Sequence, residues 1–158
     1  MHMNKRIEAR RLELGLSEQQ IAGTLGISVD SYCDIEWHED ELRRAIELHR
    51  IKTLSGVLGF QILELLAVRC PFCNNEAPYW DEYRLPRNEL IKAVRLKAGL
   101  SQQELGDRSD FHDYAIEGME RDPNYLERST IDSISDLSMA LKIPLQVLID
   151  IKCPKCQR

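Results

Sequence analysis

The sequence predicts an all-α chain built from two similar helical units joined by a short connector. Three observations predict it. The chain of 158 residues matches itself when shifted by 83 or 84 positions. Apolar residues recur at helical spacing between glycines and capping serines, and no segment alternates with period two for long enough to make a strand. Each unit closes on the same Cys-Pro-x-Cys knuckle, Cys70–Cys73 and Cys153–Cys156.

The repeat is the first of these because self-similarity governs every later reading. A shift of 83 carries Cys70-Pro71-Phe72-Cys73 onto Cys153-Pro154-Lys155-Cys156, Leu54-Ser55 onto Leu137-Ser138, and Leu65-Leu66 onto Leu148-Ile149. Nearer the start the shift is 84, with Gly15-Leu16-Ser17 on Gly99-Leu100-Ser101 and Glu36 on Glu120. A single one-residue indel reconciles the two registers. The implied organisation is a first unit at 4–73, a connector at 74–88 and a second unit at 89–158.

Each unit then reads as five helices. Ile7, Ala9, Leu12 and Leu14 form an apolar stripe that Gly15 stops. Ser17-x-x-Gln20 and Ser101-x-x-Glu104 are capping boxes, in which the serine oxygen accepts from a free N–H and the Gln or Glu reaches back. Ile21, Ala22 and Leu25 face inward on the second helix, and Gly26 ends it. Ser28 caps a third helix carrying Tyr32, Ile35 and Glu36. Leu42 to Leu66 supplies two more helices, broken near Gly59. The second unit repeats the plan, with Leu90, Ile91, Val94 and Leu96 before Gly99, then Leu105, then Ile116 and Met119, then Ile131 to Ile151. The connector holds Pro78, Pro86, Tyr79, Trp80 and Tyr83, a mixture of breakers and aromatics that predicts an ordered segment packed on a unit.

Composition excludes several classes. Hydrophobic residues make up 43% and charged residues 30% of the chain, ordinary values for a globular protein. No apolar run reaches the length of a membrane span, and the N-terminus has no secretory-signal pattern. A cytoplasmic location and no membrane partner are expected. Net charge is −5. The first 69 residues carry 9 basic and 11 acidic side chains and the remainder 12 and 15, so neither half is basic. Bulk charge therefore does not advertise nucleic acid, although a local basic stripe can still bind it. His38, His49 and His112 are scattered, and no nucleophile–base order, phosphate loop or carboxylate cluster appears. No enzyme and no small-molecule substrate are expected.

Four of the five cysteines form two C-x-x-C pairs, which in a reducing compartment read as metal binding or redox chemistry before structural disulfide. Each pair is half of a tetrahedral zinc site. Two halves from a duplicated chain make one four-cysteine site, with Cys70, Cys73, Cys153 and Cys156 as ligands and one structural zinc. Paired disulfides, a thiol redox role and free thiols are the alternatives. Cys33 has no partner in the pattern and reads as a helix thiol.

The run Arg11-x-x-x-Gly15-Leu16-Ser17-x-x-Gln20-Ile21-Ala22-x-x-Leu25-Gly26-Ile27-Ser28, followed by Tyr32-x-x-Ile35-Glu36, resembles the lambda-repressor-like, Xre/Cro-type helix-turn-helix family. Arg95 to Glu120, with Leu141-x-Ile143-Pro144-Leu145-x-x-Leu148, is a more degenerate copy, in which Gly106 replaces the usual alanine and Asp110 the usual turn glycine. The resemblance implies two five-helix domains, each locked by an ion pair: Arg11 with Glu36, and Arg95 with Glu120. It also implies a third helix that reads DNA, through Ser28, Val29, Asp30, Ser31, Cys33 and Asp34 in the first copy. In the second copy the equivalent positions are His112, Asp113, Tyr114, Ala115 and Glu117, with Gln102 toward phosphate.

Charge complicates that implication. Ser28 to Glu41 contains six acidic residues and no Lys or Arg, whereas cationic phosphate contacts supply most DNA affinity. Arg10, Arg43 and Arg44 are the nearest candidates for such contacts. Two functions follow from the sequence. One is a DNA-binding transcriptional regulator acting as a built-in pseudo-dimer on double-stranded DNA. The other is a protein-binding module, an antitoxin or immunity protein whose acidic third helices neutralise a basic toxin.

Overall fold

The computed structural model describes residues 2–73 and 75–158. Asn74, the first residue of the expected connector, lies outside them. The described residues are all-helical, and their one β-type contact is an isolated antiparallel bridge between Glu47 and Thr130. The first half runs α1 (Met3–Glu13), α2 (Glu18–Leu25), α3 (Val29–Trp37), the single turn α4 (Glu41–Arg44), α5 (Leu48–Leu58) and the short α6 (Ile62–Leu65). The second runs α7 (Arg87–Lys97), α8 (Gln102–Ser109), α9 (Asp113–Arg121), a 3-10 turn (Tyr125–Arg128), α10 (Ile131–Leu141) and the short α11 (Leu145–Leu148). The order of elements is the same in both halves. Each half has one turn more than the sequence plan, between its third and fifth helices. Leu42 and Leu126 anchor that turn in the core, at 5% and 1% exposure. α7 begins at Arg87, just inside the expected connector, because Pro86 stands immediately before it and presets the first turn.

Local chemistry sets the boundaries. Ser17 and Ser101 accept from the N–H of Gln20 and Glu104, whose side chains accept from the serine N–H in return. Ser28 and Thr130 cap α3 and α10. Gly26 ends α2 in the left-handed region (φ 66°), and Asp110 holds the same place after α8 (φ 55°). The neighbouring Gly106 tolerates no side chain, because a Cβ there would lie 2.5 Å from the Phe111 carbonyl oxygen. Its mate Ala22 is 1% exposed and fits.

The first-helix stripe differs from the sequence reading. Leu12, Leu14 and Leu96 are 60%, 40% and 59% exposed. Ile7 faces inward, and the position four residues on, where its stripe continues, is Arg11. Leu12 is one step further round the helix and points out. Leu12 and Leu96 are mates in the 84-residue register, so both halves share this exposure.

Arg11 and Arg95 occupy inward positions because each has a carboxylate to meet. Arg11 donates through Nε and Nη2 to the two Glu36 oxygens at 2.6 and 2.8 Å, and through Nη1 to the Leu16 carbonyl at 3.1 Å. Arg95 does the same with Glu120 at 2.5 and 3.0 Å and with Leu100 at 2.7 Å. The third donor to each carboxylate differs. In the first half it is the Tyr32 hydroxyl, at 2.6 Å from Glu36. Its mate is Ile116, which has no hydroxyl, and the Gln102 amide donates to Glu120 instead, at 2.9 Å. Hydrogen bonding to Glu36 holds Arg11 firmly protonated, and burial beside that carboxylate raises the Tyr32 phenol. Burial pushes Glu120 up, but the bonds from Arg95 and Gln102 outweigh it and keep it low.

The halves meet through reciprocal contacts, the pattern of an isologous interface. α4 packs on α10, and its mate, the Tyr125–Arg128 turn, packs on α5. Glu47 bridges to its own mate Thr130, and the Leu48 N–H donates to the Ser129 carbonyl at 2.9 Å. The geometry is reciprocal but the charges are inverted. Arg43 donates to Asp132 and to the Ser135 hydroxyl, both at 3.2 Å, and to the Leu66 carbonyl at 3.0 Å. Its mate is Glu127. Asp132 and Ser135 have His49 and Lys52 as mates. Glu127 accepts from Lys52 at 2.6 Å and from Arg87 at 2.8 Å, and its carbonyl lies 2.8 Å from the His49 ring.

Two predictions follow from these contacts. Glu36→Gln leaves the buried Arg11 guanidinium with only the more exposed Glu18, 3.6 Å away, as a counter-charge and should cost about 3 kcal/mol; urea denaturation at neutral pH measures it, and a midpoint unchanged from wild type would contradict the structural role. Glu127→Lys places a third cation against Lys52 and Arg87. It should lower the thermal midpoint by several degrees, whereas Glu127→Gln, which keeps an acceptor, should lower it less.

Candidate metal centre and recognition helices

Each knuckle follows a short last helix and a residue in the left-handed region, Ala67 (φ 53°) in the first half and Asp150 (φ 55°) in the second. The pairing of the cysteines is crossed. Cys70 Sγ lies 3.6 Å from Cys156 Sγ, and Cys73 Sγ lies 3.4 Å from Cys153 Sγ. All four sulfurs lie within 4.8 Å of one another. None is in a disulfide; an S–S bond is about 2.05 Å long. The four thiols therefore form one cluster, contributed equally by the two knuckles, that can hold a metal ion.

The second knuckle is tied down by its own backbone. Cys153 N–H donates to the Arg158 carbonyl at 2.9 Å, Gln157 N–H to the Cys153 carbonyl at 2.8 Å, and the buried Gln146 amide to the Arg158 carbonyl at 2.6 Å. N–H groups of Cys156 and Lys155 point at the Cys153 sulfur and pull its thiol down to about 6. The Cys153 sulfur in turn pushes Cys73 up to about 12, and burial raises Cys70. The Cys153 sulfur is thus ready to ionise, and it holds Cys73 protonated. A cation among the four sulfurs releases that hold and lets the remaining protons leave.

The first knuckle carries a second feature. Phe72, 3% exposed, packs edge-on against Tyr79 at 5.1 Å and tilted against Tyr83 at 5.9 Å. The connector aromatics thus pack on the knuckle. No family model, curated protein or solved structure matches the chain. Function has to be argued from the residues themselves.

The expected contact residues fall into two groups. On α3, Val29 and Asp30 are exposed, Ser31 and Asp34 are half-buried, and Ser28 is held by the cap with Ser31 at 3.1 Å. Cys33 is buried, and burial raises its thiol. On α9, His112, Asp113 and Tyr114 are exposed, with the His112 ring stacked on Tyr114 at 5.2 Å, while Ala115 is buried. The second group is engaged within the chain. Gln102 donates to Glu120, Arg43 spans the contact between halves, and Arg10 donates to the Leu58 carbonyl at 2.9 Å and to Glu13 at 2.7 Å. Arg44 is exposed but pairs with Asp40 at 2.8 Å. Sequence reasoning passed over Trp37, which is 63% exposed at the end of α3 beside His38, Glu39 and Asp40. The available signal was an indole off the Tyr32–Ile35–Glu36 face and next to an acidic run.

Removing a metal from the cluster should release the ties between the halves at this end. Treatment with a strong chelator should raise amide exchange at 70–73 and 152–158 well above that in the α2–α5 core. Unchanged exchange at both knuckles would show that the cluster does not depend on an ion.

Proposed function

We propose that the chain is a protein-recognition module, of the antitoxin or immunity kind, built on a duplicated helix-turn-helix-like scaffold whose halves are clasped by one structural zinc ion. The observation that carries the recognition reading is the α3 face. It presents Val29 and Trp37, 38% and 63% exposed, among the carboxylates of Asp30, Asp34, Glu39 and Asp40. Asp40 is paired with Arg44 and Glu39 meets the His2 ring, but Asp30 and Asp34 have no ion-pair partner among the described residues; an exposed aromatic beside such carboxylates is the composition of a binding hot spot for a partner of opposite charge. A basic protein such as a toxin has that charge. The cations that would have held phosphate, Arg10 and Arg43, have intramolecular partners.

DNA binding by a transcriptional regulator is the second reading. What favours it is the junction of α2 and α3: a left-handed residue at Gly26 followed by the Ser28 cap presents the first turn of α3 to solvent. Helices so presented enter the major groove in known readers.

Zinc is the metal the donor set selects. Four thiolates suit a soft, tetrahedral, redox-inert ion. With metal–sulfur bonds of about 2.3 Å, tetrahedral corners lie roughly 3.8 Å apart, close to the 3.4 and 3.6 Å between the crossed pairs.

Titration with random-sequence duplex DNA separates the two recognition readings. The protein-binding reading expects no measurable binding even at low salt. Tight binding that weakens steeply with salt would overturn it in favour of the regulator, since a slope of about one unit accompanies each phosphate contact. Elemental analysis of the purified chain tests the clasp independently. It should return one zinc per chain, falling to none on joint replacement of Cys70 and Cys153 by serine.

A further inference from the structure

The repeat register gives the positions of each unit a mate in the other, and for one groove beside the four cysteines the two mates differ in what fills them. In the second half, Gln146, Val147, Ile151 and Lys152 form one side of the groove. Tyr79 and Tyr83 of the connector border it with them and leave about 80 Å³ against Gln146, Val147 and Ile151, while a wider cleft of about 640 Å³ lies on the side of the rings toward Arg84 and Leu85. The two rings meet edge to face at 5.7 Å, and the Arg158 guanidinium lies over Tyr79, 5.7 Å from its centroid. Together with Phe72 they make one aromatic cluster against the knuckle.

The 83-residue register carries that wall onto Leu63, Glu64, Val68 and Arg69. Here the groove is open. It encloses about 530 Å³, bounded also by Gln61, Cys70, Cys73, Cys153, Pro154 and Lys155, and none of the residues lining it is aromatic. Lys155 is the mate of Phe72, so a cation stands where the other half has a ring. Glu64 is paired with Arg6. Among the described residues, Arg69 and Lys155 form no ion pair. Leu63 and Val68 give this wall its apolar part, with only Val68 matched by an apolar mate, Ile151; the aromatic filling is missing, and two cations without an ion-pair partner stand at the rim.

We propose that this groove docks a short segment of a partner protein that carries two aromatic side chains four residues apart with carboxylates between them. The chain itself supplies the precedent. Tyr79-Trp80-Asp81-Glu82-Tyr83 has that pattern, and its 3-10 turn at Asp81–Arg84 brings Tyr79 and Tyr83 together. In the first groove an incoming ring meets Lys155 instead of Phe72, exchanging an edge-to-face contact for a cation–π one. Arg69 and Lys155 take up the acidic residues between the rings. The apolar wall selects aromatic side chains, and the rim selects acidic neighbours. This surface is formed by α6 and the knuckles, not by α3, so it stands whether or not α3 binds a basic partner.

A synthetic peptide with the sequence of residues 77–86 is the direct probe, observed by amide chemical shifts of the full chain. Binding in trans lacks the roughly millimolar local concentration that the tethered connector enjoys, so titration should run to about that level. The expected result is saturable shifts at Leu63, Val68, Arg69 and Lys155, with one peptide per chain and no change at Asp30 or Trp37. Replacing both peptide tyrosines by serine should weaken binding at least about tenfold. Joint Arg69→Glu and Lys155→Glu substitution, both at exposed positions, should weaken it comparably. No shift at about 1 mM peptide overturns the proposal. So do shifts centred on Val147 and Ile151, which would mean that the peptide displaces the connector, and so does binding indifferent to both changes.

Discussion

The contact between the two halves is the constraint on which the rest of the molecule depends. When one folded unit faces a copy of itself, each surface must meet either its own mate or a surface that meets it in return. Both cases occur here. Glu47 meets its mate Thr130 across the bridge. Cys70 meets Cys156 while Cys73 meets Cys153. The cysteines follow the reciprocal case: the first sulfur of each C-x-x-C turn lies against the second sulfur of the other. A half-site on each unit becomes a whole site only in this arrangement. The four-thiol cluster is therefore a product of the interface and not of either fold alone.

Within each half, the Arg–Glu pair ties the first helix to the third, and the comparison of its two versions shows how the arrangement survives sequence change. A buried carboxylate needs its lone pairs occupied. Loss of the Tyr32 hydroxyl at Ile116 would have left Glu120 short of a donor. Gln102 supplies it from the adjacent helix. The same substitution removes Gln102 from the set of side chains available to a ligand. Glu18, its mate, instead lies 3.6 Å from Arg11 on the rim of the first pair. A residue difference that looks like drift in recognition chemistry is, in the folded chain, a repair of the core.

What was legible in the sequence was local or periodic. The capping boxes, the left-handed residues and the repeat register need only a few neighbouring positions, and the four-cysteine cluster follows once two identical half-sites are placed in one chain. The exposure of Leu12 and Leu96 was misread because an arginine interrupts the apolar stripe, and its burial makes sense only with a glutamate 25 positions on. The roles of Arg43 and Glu127 were invisible because their partners lie in the other half. The packing of Tyr79 and Tyr83 on Phe72 was hidden for a different reason: breakers and aromatics announce an ordered connector but not which nearby side chain it covers. The contacts of Arg43 with Asp132 and of Glu127 with Lys52 depend on the relative placement of the two halves, which no window of sequence contains.

Duplication within one chain also permits an asymmetry that a homodimer cannot have. In a homodimer, Arg43 would face its own chain's counterpart of the Asp132 position, which is His49, and the Ser135 position, which is Lys52. That is a cluster of cations. The second half paired with itself would set Glu127 against Asp132. Like charges in direct apposition cost several kcal/mol, so each half disfavours itself and favours the other. Specificity of this kind rests on the unfavourable alternative as much as on the favourable pair. Once the halves are no longer interchangeable, each can carry a different surface. α3 gathers carboxylates around an indole while α9 exposes a stacked His112–Tyr114 pair. One groove beside the cysteines is lined with the chain's own aromatics, and its mate is bordered by cations. The inverted charges at the contact are thus what allows a symmetric scaffold to present unlike faces.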